Sequence, residues 1–377
     1  MREQMNIRQI GAYRRQLLGT ASIVGLLLYG VDASAAPPDS PNVWIEGGWH
    51  SEDIVGKDEL FEPSFLTDLT ENGFPSPARL EYPSPYSWGA EGKISLRPEG
   101  SNWVFSASAR YGRMKGRKYE HRETSPDPVH FIRPPSAVPA TYTPLVGAYS
   151  DTKTSSEETH VIADFTVGRD VGLGLFSQRS TSNLNLGVRY AQFHSGANNE
   201  LKGDPRYGLQ FKYVPFIHGS VPSTRYYTLN RATEQSTRSF RGIGPTLEWS
   251  ASTPVLGDPE NGELAFDWGV NAAVLFGRQK ADVQHETAST QHYGGLFNHG
   301  TKISHSSSPP QHRSRGATVP NLGGFAGISY KFTRAKISAG YRVDYFFDAM
   351  DGGIDVRQSR NVGFFGPFAT ISIGLGG

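Results

Sequence analysis

The chain of 377 residues contains no cysteine. That excludes disulfides, thiolate metal sites and cysteine nucleophiles. It suits a chain that must stay unfolded while crossing an oxidising compartment. Charge of one sign is also lacking, with 37 basic against 36 acidic residues. Near-neutrality argues against nucleic acid as a partner, because a basic field is what captures phosphate. No polybasic segment for a membrane surface stands out. Beyond the first thirty residues no run approaches eighteen consecutive apolar positions, so no helical membrane span is expected. Hydrophobic residues make up only 37% of the chain, little for a large soluble core, yet Gly (43), Tyr (17) and Phe (21) are plentiful. A membrane β-barrel reconciles these facts, since its lipid face takes every second residue and polar residues fill the other face.

The N-terminus reads as a targeting segment. Arg2, Arg8, Arg14 and Arg15 precede an apolar core from Leu17 to Tyr29, and Ala33-Ser34-Ala35 supplies the small-x-small pattern read by a signal peptidase. The rival reading is a helical anchor. Thirteen residues rising about 1.5 Å each reach only about 20 Å, short of a hydrocarbon core about 30 Å thick. Residues 1–35 are therefore expected to be removed and 36–377 to form a single barrel. The loss of four arginines and two acids, Glu3 and Asp32, leaves 33 basic and 34 acidic residues, a net charge of −1.

In the remainder, alternation with period two recurs. Ile337, Ala339, Tyr341, Val343, Tyr345 and Phe347 share one face, while Lys336, Ser338, Gly340, Arg342, Asp344 and Asp348 share the other. Ten such strands are expected, near 42–51, 86–97, 102–115, 158–169, 183–195, 238–252, 263–280, 318–332, 335–350 and 361–375. Their connections alternate between long (52–85, 116–157, 196–237, 281–317) and short (98–101, 170–182, 253–262, 333–334). This is the pattern of an up-and-down transmembrane barrel with extracellular loops and periplasmic turns. A β-sandwich has no reason to sort its loops so. Two long connections are proline-rich (Pro75, Pro77, Pro83, Pro85; Pro126, Pro128, Pro134, Pro135, Pro139, Pro144), which disfavours central strands there. Residues 209–217 and 225–230 read as a hairpin above the membrane; if they crossed it, the count would be twelve.

Two segments carry a family resemblance. Ser239-Phe240-Arg241-Gly242-Ile243-Gly244-Pro245 is followed by Ala273-Val274-Leu275-Phe276-Gly277. Later come Gly340-Tyr341-Arg342-Val343-Asp344-Tyr345-Phe346-Phe347 and Val362-Gly363-Phe364-Phe365-Gly366-Pro367-Phe368. Over roughly the last 140 residues the chain resembles the Legionella-type major outer membrane protein family. The resemblance implies a pore-forming barrel in a bacterial outer membrane, in contact with its lipid and lipopolysaccharide and inserted by the barrel-assembly machinery. Pro245 and Pro367 are expected at bulges or interrupted ladders. One departure is the end, Leu375-Gly376-Gly377, where many such barrels carry an aromatic residue.

Inward-facing charges are expected at Glu46, Glu91, Lys93, Arg110, Asp164, Arg189, Glu248, Asp267, Arg342 and Asp344. Such residues either line a weakly selective pore or interlock in a filled lumen, the outcome that a small strand number favours; with the resemblance counted, porin-like passage of small solutes or ions is placed first and a closed structural or surface-interaction barrel second. No catalytic, cofactor or metal site is expected. His285, His292, His299, His305 and His312 are spaced by six or seven residues, unlike the short ligand spacings of metal motifs. His50, Glu52 and Asp53 lie near the outer rim, as in rim proteases, but the nearest further acids are Asp348 and Asp351 and no protease motif accompanies them. His50 and Ser51 are adjacent and so point to opposite faces, which excludes a Ser–His pair there. Oligomeric state is not legible. N-terminal sequencing of the membrane-inserted protein is expected to begin at Ala36 or Pro37; an intact Met1 would contradict the targeting assignment.

Overall fold

The computed structural model describes residues 42–55, 86–99, 101, 103–123, 127–128, 145–146, 149–170, 180–214, 216, 219–258, 261–294, 299–332, 334–352 and 358–375. The targeting segment, the prolines of 52–85 and those of 129–144 lie outside the described residues.

All regular structure among the described residues is β. The strands are β1 (Val43–Val55), β2 (Tyr86–Leu96), β3 (Trp103–Glu123), β4 (Asp127–Pro128), β5 (Leu145–Val146), β6 (Tyr149–Asp170), β7 (Thr181–Val214), β8 (Gly219–Asp258), β9 (Gly262–Gly294), β10 (His299–Ser307), β11 (Gln311–Lys331), β12 (Ala335–Asp351) and β13 (Ser359–Leu375). Ten of them, β1, β2, β3, β6, β7, β8, β9, β11, β12 and β13, form a ring of antiparallel neighbours. The first and last close it, from Val43 opposite Leu375 to Val55 opposite Gly363. Closure leaves no edge, which a sheet in lipid requires because no water is there to satisfy one. β10 is extra and pairs with the outer end of β9, while β4 and β5 form a separate two-residue ladder.

All ten expected strands are present. Both ends of the ring, Val43 and Leu375, lie with the short turns. The β8–β9 turn is tight, with Gly257 and Gly262 at φ 93° and 115° and Asp258 Oδ1 accepting from the Asn261 amide at 2.8 Å. The strand count is ten rather than twelve, because 206–214 and 219–228 pair as the outer ends of β7 and β8.

Four expectations need correction. The connections 196–237 and 281–317 are largely strand, as are the described residues of 116–157: β3 continues to Glu123, β6 begins at Tyr149, β7 runs on to Val214 and β8 starts at Gly219, and β9, β10 and β11 occupy most of 281–317. Above the lipid nothing demands an apolar face, so ladders continue there without the alternation that marks a strand. Thr152, Thr154 and Ser156 are buried on one face of β6 with Lys153 exposed between them. Asp348 is the fourth. It stands exposed at φ 53° where the β12–β13 register shifts between Phe346 and Met350. The bulge turns it out of the face it would share with Asp344.

The expected interruptions are found at both prolines. The β8–β9 ladder passes from Ile243–Phe276 to Thr246–Ala273, skipping Gly244 and Pro245. The β1–β13 ladder passes from His50–Phe368 to Asp53–Phe365, skipping Gly366 and Pro367.

The outer surface carries a band of exposed apolar side chains, including Ile45, Phe165, Leu186, Val270, Ile328, Ile337 and Ile371. Aromatic rings flank it at both heights. Trp249 packs on Trp268 and Tyr330 on Phe332 toward the turns, and Trp49 on Trp88 and Tyr345 on Phe347 toward the outside. Ile337 to Phe347 spans ten residues, about 33 Å along the strand. With the usual tilt this gives a band about 25 Å tall, the dimension of a transmembrane barrel. Val343→Arg is expected to cost about 2–4 kcal/mol by facing lipid and to abolish heat-modifiable gel mobility. Arg342→Ala should leave that mobility intact; the reverse pattern would mean the register is off by one.

Candidate functional site in the barrel lumen

Inward positions on neighbouring strands fall at heights set by the register, and three levels result. Toward the turns lies a cavity of about 290 Å³, lined by all ten of the charged residues expected to face inward, together with Lys336, Asn271, Phe325 and Phe368. Lys336 Nζ meets Asp267 Oδ2 at 2.6 Å, and the Ser372 hydroxyl donates to Glu46 at 2.7 Å.

The upper wall of this cavity is a layer of charges that reach across the ring. Arg110 on β3 donates to Asp344 on β12 at 2.5 Å, and both are buried. Arg189 on β7 makes a two-pronged contact with Asp164 at 2.7 and 3.0 Å and reaches Asn271 at 2.7 Å, Asn321, and Asp344 at 4.0 Å. Arg342 pairs with Glu91 across the ring and stacks 4.6 Å over the Phe368 ring. A charge in so narrow a space must find a protein partner, on the adjacent strand as Asp164 is for Arg189 or across the ring as Asp344 is for Arg110, since a buried unpaired ion costs several kcal/mol.

Above the charges the lumen is apolar. Phe193 on β7 lies 5.3 Å from Phe364 on β13, ring centre to ring centre. Those strands stand five places apart in a ring of ten, so the two rings meet across the full diameter. Phe193 also meets Phe346 edge-on at 4.7 Å and stacks with Phe240 at 5.8 Å. Met114, Met350, Ile54, Leu275 and Val319 pack into the same cluster. This layer was not foreseen in the sequence. Its trace there is the pair of doublets Phe346-Phe347 and Phe364-Phe365, where both faces of a strand are aromatic at once.

Between the charged and apolar layers sit His50, Glu52 and His160, all at least 98% buried. His160 Nε2 is 2.9 Å and His50 Nε2 3.6 Å from Glu52 Oε2, while Arg110 lies 3.6 Å from Glu52 Oε1. The ring nitrogens of both histidines and Glu52 Oε2 lack a hydrogen bond of acceptable geometry. Each such buried atom costs about 1–3 kcal/mol. The spacing brings one ligand atom from each residue within 4.8 Å of the others, so the three could hold a metal ion. Of them, His50 and Glu52 were singled out in the sequence as rim residues and His160 was not. Asp53 lies on the opposite face of β1, between inward Glu52 and Ile54. Asp351 is buried but bound by Arg313 and Arg315. No protease-like grouping of these acids with His50 forms.

Of the outer histidines, His305 pairs with Glu286 at 2.8 Å and His312 with Asp282 at 2.5 Å, both exposed and each with its own carboxylate. The side chains of His292 and His299 lie outside the described residues. At the outer tip of β6, a hydrogen bond with the His121 ring holds the Asp151 carboxyl below its ordinary range.

No family model and no curated protein matches the chain. Among solved structures, a bacterial polysaccharide outer membrane secretin is 9% identical at a TM-score of 0.19, covering 89% of this chain and 100% of that one. The transport unit of the autotransporter AIDA-I from Escherichia coli is 9% identical at 0.19, over 92% and 94%. OmpT of Vibrio cholerae is 9% identical at 0.14, over 90% and 100%. Similarities at this level do not bear on function.

Asp344→Asn removes the nearer of the two carboxylates that meet buried Arg110, leaving only Glu52 at 3.6 Å, and is expected to destabilise the barrel by up to about 3–5 kcal/mol, read as a lowered midpoint of denaturant unfolding. Removing the exposed Lys115–Glu157 pair should cost about 1 kcal/mol or less. Equal losses would contradict the role of the cross-lumen layer.

Proposed function

We propose that the chain is a bacterial outer-membrane barrel whose lumen is closed at rest, anchoring a tall β wall on the cell surface. The apolar belt and its two aromatic girdles support the membrane assignment. The contact of Phe193 with Phe364 across the diameter carries the closed reading. Close-packed rings leave no continuous file of water, and ten strands stand near the filled end of the range of barrel sizes. The wall is uneven: β7, β8 and β9 run to 34, 40 and 33 residues, against 13 and 11 for β1 and β2. The surplus stands above the apolar belt on one side, as a platform for contact outside the cell.

A porin-like reading has one observation in its favour, the polar cavity of about 290 Å³ below the aromatic layer. The resemblance to the Legionella-type family implies the same activity. Passage of ions or small solutes then requires the aromatic layer to part. Among the described residues, no grouping of His50 with Asp53 or Asp351 lends support to a hydrolase.

Planar-bilayer recording tests the choice. Refolded protein is expected to show no steady conductance, and Phe193→Ala with Phe364→Ala is expected to open ion-conducting steps. Stable open-channel current through the unaltered barrel would favour the pore.

A further inference from the structure

We propose that His50, Glu52 and His160 form an intramural binding site for one first-row divalent transition-metal ion, with Zn²⁺ as the reference ion. The site lies inside the wall of the barrel at the boundary between its charged and aromatic layers. It stands whether or not the lumen conducts.

The donor set has the right chemistry. Two imidazoles and one carboxylate suit Zn²⁺ and its neighbours, and the absence of thiolates removes the softer alternatives. The spacing also fits. Four-coordinate zinc holds N and O ligands at about 2.0–2.2 Å, which sets ligand atoms about 3.3 Å apart. Here Glu52 Oε2 lies 2.9 Å from one imidazole nitrogen and 3.6 Å from the other. The three ligand atoms lie within 4.8 Å of one another, so the two imidazoles must draw closer for all three to meet one ion.

Three further features show a built site rather than a chance approach. First, Glu52 is divided between two tasks. Oε1 faces Arg110 while Oε2 is turned to the imidazoles and accepts no hydrogen bond. A guanidinium on the far oxygen fixes a carboxylate as a one-oxygen ligand, and such outer partners tune metal sites. The Arg110 charge is itself met by Asp344 at 2.5 Å, which limits its repulsion of a cation. Second, each imidazole lies over a glycine on the adjacent strand. His50 pairs with Gly89 and His160 with Gly112. A Cβ at Gly89 would collide with the His50 ring, and one at Gly112 with the His160 ring. Third, His160 packs 4.2 Å from the Phe364 ring and lines a small hollow of about 20 Å³ on the outer side, together with His194 and Glu158. That volume admits one water or ion, and it abuts the site at His160, on the side away from the charged layer.

The test uses the full mature barrel, folded in detergent, stripped with a chelator and titrated with Zn²⁺ against a chromophoric competitor. His121→Ala, His305→Ala and His312→Ala together serve as the background, to remove the exposed imidazoles that stand beside carboxylates. One Zn²⁺ per barrel is expected. Glu52→Gln and His160→Ala should each weaken it more than about 100-fold, beyond the roughly 10–100-fold typical of losing an outer partner. Heat-modifiable mobility reports whether each variant is folded. If a variant fails to fold, X-ray absorption of the Zn²⁺-loaded background protein decides, with two imidazoles and one carboxylate oxygen expected at zinc. The proposal is overturned if the folded background protein binds no Zn²⁺, if folded Glu52→Gln and His160→Ala bind as tightly as before, or if the absorption spectrum lacks the two imidazoles. In each case the trio is an internal ion-pair cluster.

Discussion

The structure depends on the narrowness of a ring of ten strands. Lipid outside requires that the sheet close on itself, and closure at ten fixes an interior across which side chains from opposite walls touch. No inward residue can be treated as belonging to one strand alone. Arg110 is neutralised by Asp344 four places away around the ring, and Phe193 packs on Phe364 five places away. A wider barrel would leave these groups to water. Here each must find protein, so the lumen is layered by chemistry: charge paired with charge at one level and apolar rings with apolar rings at the next.

The fold was legible because lipid writes on sequence. Within the belt each strand must present an apolar residue at every second position, and all ten strands appear with the expected order and parity. Glycine and proline at 244–245 and 366–367 marked where ladders lapse. Outside the belt the imprint fades. The outer halves of β6 and β9 are as regular as the rest, yet Thr152, Thr154 and Ser156 on one face of β6 carry no hydrophobic signal.

The lumen was legible by face but not by height. That Glu46, Arg189 or Asp344 points inward follows from parity within its own strand. Which inward residues meet depends on the stagger between strands, and no single strand records that. His50 and Glu52 were visible as neighbours on β1. His160 lies more than a hundred residues later, at a strand position with no special spacing to either. The aromatic layer escaped notice because a phenylalanine beside an outward phenylalanine resembles a stronger lipid signal. Phe346-Phe347 and Phe364-Phe365 instead fill both sides of the wall. In the closed barrel proposed above, the apolar layer and the buried ionic layer would support each other, since rings that exclude water strengthen the ion pairs below them.

The central claim is that the aromatic layer divides the lumen into two spaces with no aqueous link. A chain free of cysteine permits a direct measurement. Ser108→Cys places a thiol in the lower cavity and Ile303→Cys an exposed thiol on β10. Each barrel is reconstituted in sealed vesicles and exposed to a small, membrane-impermeant thiol reagent added outside. If the lumen is divided, the two labelled fractions are complementary and add to one, because each thiol is reached only in molecules facing the matching way. Complete labelling of Ser108→Cys from one side would contradict the account.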